Sequence, residues 1–143
     1  MNILSTSKIH ILFYLLLFIC VLTGNFKECI IFTSFILVHE LGHITYATFL
    51  KWNIEKIVIL PFGAITIFNE KINKPLKEEL LIAISGVIYQ TIFYFLLTLL
   101  NIKEEIFVIH YFILIFNLLP IYPLDGFKIF NIIFNYLFSF KLS

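Results

Sequence analysis

The sequence contains long apolar runs separated by short polar segments. The runs cover residues 9–23, 29–50, 80–100 and 106–119, and a last run begins at residue 127. A helix needs about twenty apolar residues to cross the hydrocarbon core of a bilayer. Backbone exposed to lipid must satisfy its hydrogen bonds internally, which a helix does. The runs therefore predict an all-α polytopic membrane protein built as a bundle of four to five transmembrane helices. The last run either completes the crossing or lies along the membrane interface.

Composition supports this class. Hydrophobic residues make up 61% of the chain and charged residues 13%, whereas a soluble domain is nearer half apolar and a quarter charged. We expect residues 1–143 to form a single membrane-embedded domain without a soluble regulatory domain, and the lipid bilayer to be its surroundings. Arginine is absent and the net charge is +1, so nothing indicates nucleic-acid binding. The first run lacks a small-residue cleavage pattern, which argues against a signal peptide.

The motif His-Glu-Leu-Gly-His, residues 39–43, lies inside the second run. Positions i and i+4 share a helix face, so His39 and His43 present two imidazoles side by side. Such a pair can hold one zinc ion, and Glu40 can take a proton from water at that ion. The alternative is a polar helix face buried in a core, but apolar surroundings make unpaired His and Glu costly. We predict one zinc ion per chain, with Glu40 as the catalytic base.

A second polar segment follows the fourth run and reads Asn-Leu-Leu-Pro-Ile-Tyr-Pro-Leu-Asp-Gly. Pro120 and Pro123 interrupt helical hydrogen bonding, and irregular backbone at membrane depth is tolerated where it is buried or lines a wet cavity. Asp125 is the sole aspartate of the chain. Two histidines and one carboxylate would leave a fourth zinc position for water. Pro120, Pro123 and Gly126 in this segment are predicted to support the site or to bind substrate.

Residues 54–68 change character. β-Branched residues on both sides of a Pro-Phe-Gly turn predict a β-hairpin, with Phe62 and Gly63 as candidate substrate-binding residues. An open hairpin edge can accept an extended peptide as another strand. A structural flap without a ligand is an equally good interpretation of the same pattern.

The third run carries Gly86 and Gln90 on a small, polar stripe that favours close helix packing. We predict that both support the site. His110, in the fourth run, is predicted to pack or bond locally and not to act as a ligand.

Lysines indicate the orientation. Residues 51–79 contain five lysines, and the positive-inside rule assigns such a segment to the cytoplasm. The N-terminus and the hairpin then face the cytoplasm, and the active site opens to that side.

The motif at residues 39–43, followed by the segment 117–126, resembles the site-2 protease family of intramembrane zinc metalloproteases, and within it the stage IV sporulation protein FB group. The resemblance implies that His39, His43 and Asp125 bind zinc, that Glu40 is the base and that Asn117 acts near the active site. It also implies a bacterial cell membrane as the location. Members often carry Gly-Pro-x-x-Asn where this chain has residues 86–90 ending in Gln90, and a second glycine where it has Phe127.

The function expected from these features is hydrolysis of a peptide bond in or near a transmembrane segment of a membrane-tethered protein. One alternative is a catalytically silent scaffold that binds transmembrane segments. Another is a small metal or ion transporter, although a transporter does not need a glutamate beside paired histidines. A membrane regulator and a homo-oligomer are left open as partners.

Overall fold

The computed structural model describes residues 7–9, 11–60, 63–68, 75–101 and 104–139. These ranges form a mostly helical fold with a small sheet. In chain order the elements are β1 (Ser7–Ile9), α1 (Ile11–Thr23), α2 (Phe26–Phe49), β2 (Ile54–Leu60), β3 (Gly63–Phe68), α3 (Leu76–Leu99), α4 (Glu104–Leu118) and α5 (Asp125–Ser139).

The five helices follow the five apolar runs, with shifted ends. α1 begins at Ile11 because the three residues from Ser7 to Ile9 belong to the sheet. α5 begins at Asp125 itself, so this carboxylate stands on a helix and not in the irregular segment where the sequence suggested it. Residues 140–143, which were predicted to continue α5, lie outside the described residues.

The sheet has three strands in the order β1-β2-β3. The predicted hairpin is present as β2 and β3, which pair antiparallel with a register irregularity between Ile54 and Lys56. β1 pairs parallel with β2 and places Ser7 opposite Ile57. The expectation of a helical bundle with one hairpin was therefore incomplete. A three-residue strand is too short to show an alternating pattern, and its partner lies far along the chain.

β1 covers one edge of the hairpin, which leaves the outer side of β3 as the unpaired edge among the described strands. Leu60 and Gly63 are paired and are separated by two residues of sequence, and such a pair at the end of an antiparallel hairpin is hydrogen-bonded. Because bonded and non-bonded pairs alternate, Ile65 directs its backbone groups towards β2, and Thr66 directs its own outward. β3 also packs against α2, so the free edge lies near the helix that carries the histidines.

α2 and α3 pack at very short range. A Cβ atom on Gly42 would lie 2.6 Å from the main-chain oxygen of Ser85 and 3.0 Å from the Cα of Gly86. Only residues without a side chain permit this approach of two backbones. The two helices are joined again at one end, where Trp52 Nε1 donates to Glu78 Oε2 at 2.8 Å. The helices thus form one closely packed pair.

An apolar core fills the space between α2, α3 and α4. Phe35 is fully buried and meets Phe93 edge to face, with ring centroids 5.1 Å apart. Ile36, Ile106 and Ile113 complete this core. Large apolar side chains also cover the outside of every helix, for example Phe49, Phe95 and Val108. An apolar exterior around a packed core is the pattern of a protein surrounded by lipid.

Two of the helices, α2 and α3, are long and apolar enough to cross a membrane by length and composition. Each has 24 residues, which at 1.5 Å per residue gives about 36 Å. α1, α4 and α5 have between 13 and 15 residues. α2 and α3 are thus the candidate membrane spans among the described helices.

Candidate metal centre

Two imidazoles provide two of the three candidate ligand atoms of the centre. His39 and His43 lie one turn apart on α2, with ring centroids 4.8 Å apart and ring planes 80° apart. Their Nε2 atoms are separated by 3.1 Å. Both residues are buried, with 3% and 6% of their surface exposed. The helix therefore directs two ring nitrogens to one point inside the protein.

Asp125 adds a third ligand atom to this point. It is the first residue of α5, and its Oδ2 lies 3.0 Å from His39 Nε2 and 2.9 Å from His43 Nε2. The carboxylate is buried, with 8% of the residue exposed. The structure thus brings together the three side chains that the sequence pattern indicated as metal ligands.

The hydrogen bond of His43 on its far side fixes which nitrogen carries the proton. His43 Nδ1 lies 2.7 Å from the main-chain oxygen of Ile82 on α3. A carbonyl oxygen only accepts, so Nδ1 must be the protonated nitrogen. In neutral His43, Nε2 then carries a lone pair that faces the centre.

His39 is held in the same tautomer by Gln90. His39 Nδ1 lies 2.9 Å from Gln90 Oε1. The amide nitrogen of Gln90 points the other way, to the main-chain oxygen of His110 at 3.0 Å. Since that carbonyl cannot donate, the amide orientation is fixed and Oε1 must accept from His39. In neutral His39, Nε2 therefore carries a second lone pair that is directed into the centre.

The centre is a set of electron-pair donors without a proton of its own to share. When both imidazoles are neutral, each Nε2 is unprotonated, and the ionised carboxylate of Asp125 only accepts. Donors held about 3 Å apart in a buried site repel one another unless a cation joins them. Two imidazole nitrogens and one carboxylate oxygen are ligands that zinc takes in catalytic sites, with a fourth position left for water. The residues present therefore fit zinc.

Gly86 makes room for the imidazoles. A Cβ atom there would lie 2.5 Å from His43 Nε2 and 2.8 Å from His39 Nε2. Any side chain at this position would occupy the space into which the ligand atoms point. Gly86 is thus a steric requirement of the centre. The sequence predicted that Gly86 supports the site, but the reason it offered was close helix packing.

Glu40 follows His39 on α2 and is 5% exposed. A buried carboxylate beside two imidazoles can accept a proton from a water molecule and release it again. The other acidic residue of α2, Glu28, lies in the first turn of the helix and is exposed. Among the described residues of this helix, Glu40 is therefore the buried acidic residue, and it is adjacent in sequence to His39.

The segment between α4 and α5 forms a tight turn that brings Asp125 back to the histidines. It contains a cis peptide bond between Tyr122 and Pro123, and Leu124 N donates to the oxygen of Ile121 at 2.9 Å. A Cβ on Gly126 would overlap the main-chain oxygen of Leu118. Gly126 thus serves the centre by letting the start of α5 lie against the end of α4.

The remaining predicted site residues lie in the turn before α5, at the end of α4 and in the hairpin. Asn117 is buried, and its Nδ2 has no hydrogen-bond partner among the residues described. Pro120 is exposed, and Pro123 is half-buried in the turn. Gly63 is the first residue of β3, and Phe62 lies outside the described residues.

Two contacts close to the centre were not predicted from the sequence. Lys128 Nζ lies 4.0 Å from Asp125 Oδ1, and its position three residues along the same helix would have indicated this contact. His110 was predicted to bond locally, but its link to Gln90 joins α4 to the ligand His39 through one amide. No spacing rule connects residues on three separate helices, so the sequence offered no signal for this link.

The fold and this centre define a class of proteins with known structures. The chain is similar to the structure of the Site-2 Protease from Methanocaldococcus jannaschii, with a TM-score of 0.70 and 26% sequence identity. The similarity covers 90% of this chain and 66% of that one. The described helices thus have a site-2 protease-like arrangement.

The sequence itself gives the family. Residues 28–105 match the profile of Peptidase family M50, and the chain belongs to this family. It is 32% identical to stage IV sporulation protein FB of Bacillus subtilis, over 94% of this chain and 50% of that protein. A zinc metalloprotease of Methanocaldococcus jannaschii is 31% identical, over 80% of this chain and 37% of that protein. The chain spans half or less of the length of these curated relatives.

Proposed function

We propose that this protein is an intramembrane zinc metalloprotease. In this proposal it hydrolyses a peptide bond in or near a transmembrane segment of a membrane-tethered protein. The observation that carries the proposal is the buried triangle of His39, His43 and Asp125, whose three ligand atoms lie about 3 Å apart, with Glu40 beside it on the same helix. Membership of Peptidase family M50 supports the assignment of the reaction to peptide hydrolysis.

A bound zinc ion would supply Lewis-acid activation of water and of the scissile carbonyl group. The residues of the chain transfer the proton and exclude bulk water. Glu40 accepts the proton of the attacking water and passes it to the leaving amine. The apolar core and the packed pair of α2 and α3 limit bulk water, which strengthens every electrostatic interaction inside the centre.

Asn117 suits a role in holding the substrate. It stands at the end of α4, and its amide Nδ2 is a buried donor without a partner among the described residues. A buried donor left unpaired costs free energy. A carbonyl oxygen of the bound substrate would satisfy it, and the hydrogen bond would keep the scissile region close to the ligands.

The substrate must be extended at the cleavage site, because an intact helix hides its peptide bonds in its own hydrogen bonds. The free edge of β3 offers a way to hold an extended segment. Its outward backbone groups include those of Thr66, and β3 packs against α2, which carries Glu40. An added strand would gain main-chain hydrogen bonds at this edge.

We further propose that all five helices lie in the membrane, with the sheet on the cytoplasmic side of a bacterial cell membrane and the centre open to that side. The positive-inside rule supports this orientation, since residues 51–79 hold five lysines. The bilayer and a membrane-tethered substrate are then its partners, with a regulator or a second copy left open.

The substitution Glu40→Gln tests the proposal. Glutamine keeps the volume and hydrogen bonding of glutamate but cannot act as the base. Cleavage should fall by about 10²–10⁴-fold, while zinc content stays at that of the wild type. The assay co-expresses the full chain with a membrane-tethered reporter and scores the soluble fragment. Glu55→Gln, which removes an exposed carboxylate at the start of β2, is the matched control and should cleave normally.

The other outcomes are informative. Cleavage by Glu40→Gln at the wild-type rate would exclude Glu40 as the base. Failure of the wild type to cleave any membrane-tethered reporter while it holds zinc would favour the scaffold alternative. Zinc transport into vesicles that contain the purified protein would favour the transporter.

A further inference from the structure

We propose that Gln90 and His110 form a positioning pair that orients His39 for metal binding. The proposal rests on the proposed metal centre, but it does not depend on protease activity. Neither residue is a ligand. Both act through a single hydrogen bond, the one that His39 Nδ1 donates to Gln90 Oε1 at 2.9 Å.

Gln90 is the most enclosed polar side chain of the centre. None of its surface is exposed, so each of its polar atoms needs a partner inside the protein. Oε1 accepts from His39. Nε2 lies 3.0 Å from the main-chain oxygen of His110 and 3.2 Å from the Nδ1 of the same residue. The two amide protons and one amide oxygen are therefore all used.

His110 gives this amide its direction. Its main-chain oxygen can only accept, so it holds Nε2 on the side of α4 and turns Oε1 towards α2. Its ring Nδ1 accepts the second amide proton. The ring is buried and stacks on Tyr94, with centroids 4.4 Å apart and planes within 13°. The packed core around α4 therefore holds both acceptors of His110, its main-chain oxygen and its ring Nδ1, in place.

The consequence for the ligand is specific. If Gln90 were free to turn its amide, Nε2 could face His39 and would then require an unprotonated Nδ1. The proton of His39 would move to Nε2, where it would block the metal-facing lone pair. A partner that fixes the tautomer of a metal-binding histidine typically contributes 10–100-fold to metal affinity. Gln90 and His110 supply that constraint to His39, and the carbonyl of Ile82 supplies it to His43.

The test measures metal affinity of the full-length protein, purified in its folded form, by competition between the protein and a zinc chelator. Gln90→Leu removes the acceptor for His39 and should weaken zinc binding by about 10–100-fold. His110→Leu removes the ring acceptor but leaves the main-chain oxygen, so the expected loss is smaller, about 2–10-fold. Thr91→Val is the matched control, because its hydroxyl bonds only its own helix, at Val87 O. That variant should bind zinc like the wild type.

The double variant separates positioning from a general effect on folding. His110 acts on the metal only through Gln90, so His110→Leu should cause no further loss of zinc affinity in the Gln90→Leu background. Gln90→Glu, protonated in this buried position, keeps an acceptor for His39 and a donor for the main-chain oxygen of His110. It should restore binding to within about threefold of the wild type. Cobalt in place of zinc gives a second readout, since its absorption spectrum should change in Gln90→Leu and recover in Gln90→Glu.

Three results would overturn the proposal. The first is wild-type zinc affinity in Gln90→Leu. The second is a full additional loss from His110→Leu when Gln90 is already leucine. The third is a Gln90→Glu protein that keeps wild-type thermal stability but binds zinc more than tenfold more weakly. This third result decides the question if Gln90→Leu does not fold. If instead the wild type binds no zinc at all, the proposed metal centre itself is wrong.

Discussion

His39 Nε2 and Asp125 Oδ2 lie 3.0 Å apart, although 86 positions separate the two residues along the chain. The contact joins the second helix to the fifth. His39 reaches it from the middle of a long apolar helix, and Asp125 reaches it because a tight turn ends α4 and starts α5 beside it. The metal centre is therefore a product of the whole bundle, and its components can be tested one at a time.

The ligand set predicts the metal content. Asp125→Asn keeps the size of the side chain but removes its charge, and His43→Ala removes one nitrogen. We expect purified wild-type protein to hold about one zinc per chain and both variants to hold much less. Elemental analysis of the purified proteins measures this, with Glu55→Gln as the control. Wild-type zinc content in both variants would remove these residues from the site.

The position of Gly86 predicts that the substitution Gly86→Ala, which adds one methyl group, weakens zinc binding. The Cβ of Gly86→Ala would lie within 2.8 Å of both imidazole Nε2 atoms, so the rings must move away from the metal position. Zinc affinity should fall at least tenfold, as for other disturbances around metal ligands. Chelator competition gives the value.

Gly42→Ala provides the contrast to that experiment. Its Cβ would meet the main chain of Ser85, so it should separate α2 from α3 and destabilise the fold by about 1–3 kcal/mol. Thermal unfolding of the metal-free proteins should therefore show a larger drop for Gly42→Ala than for Gly86→Ala. The reverse order would contradict the assigned roles of the two glycines.

The free edge of β3 predicts where proline interferes with substrate binding. Thr66 directs its N–H away from β2, so Thr66→Pro removes an outward donor and leaves the hairpin pairing in place. Cleavage of a membrane-tethered reporter should slow, and zinc content should not change. Thr66→Ala keeps the N–H and should cleave normally.

Ile65→Pro instead removes a donor that faces β2, opposite Val58, and should destabilise the hairpin itself. The hairpin pattern in the sequence did not distinguish these positions, because it does not give the pairing register. Normal cleavage by Thr66→Pro would show that β3 is only a structural flap.

Orientation in the membrane is open to chemical labelling. After replacement of Cys20 and Cys29 by serine, a cysteine at Asn53 should react with a membrane-impermeant reagent only from the cytoplasmic side. A cysteine at Asn25, in the turn between α1 and α2, should react only from outside. Both asparagines are exposed in the structure. The opposite labelling pattern would show that the protein has the reverse orientation in the membrane.

The sequence predicted those parts of the molecule that local rules govern. Apolar runs gave the helices, the four-residue spacing gave the imidazole pair, and the single aspartate after two prolines gave the third ligand. β1 was missed because three residues carry no period. The start of α5 at Asp125 was missed because the prolines before it suggested continued irregular backbone.

The outer contacts of the site could not be read from the chain. The proton position on His39 depends on a carbonyl of His110, and the room for the rings depends on an absent side chain at Gly86. Both are relationships between helices that only packing defines. The sequence contained the right residues, but no periodicity relates their positions.

The order of the ligands along the chain has a consequence for biosynthesis. During translation the histidines and Glu40 are made first, and Asp125 is made only with the last described helix. A nascent chain that ends after α4 holds two imidazoles and no third ligand, so it lacks the complete set that fits zinc. The metal centre is therefore complete only after the other four helices have been made.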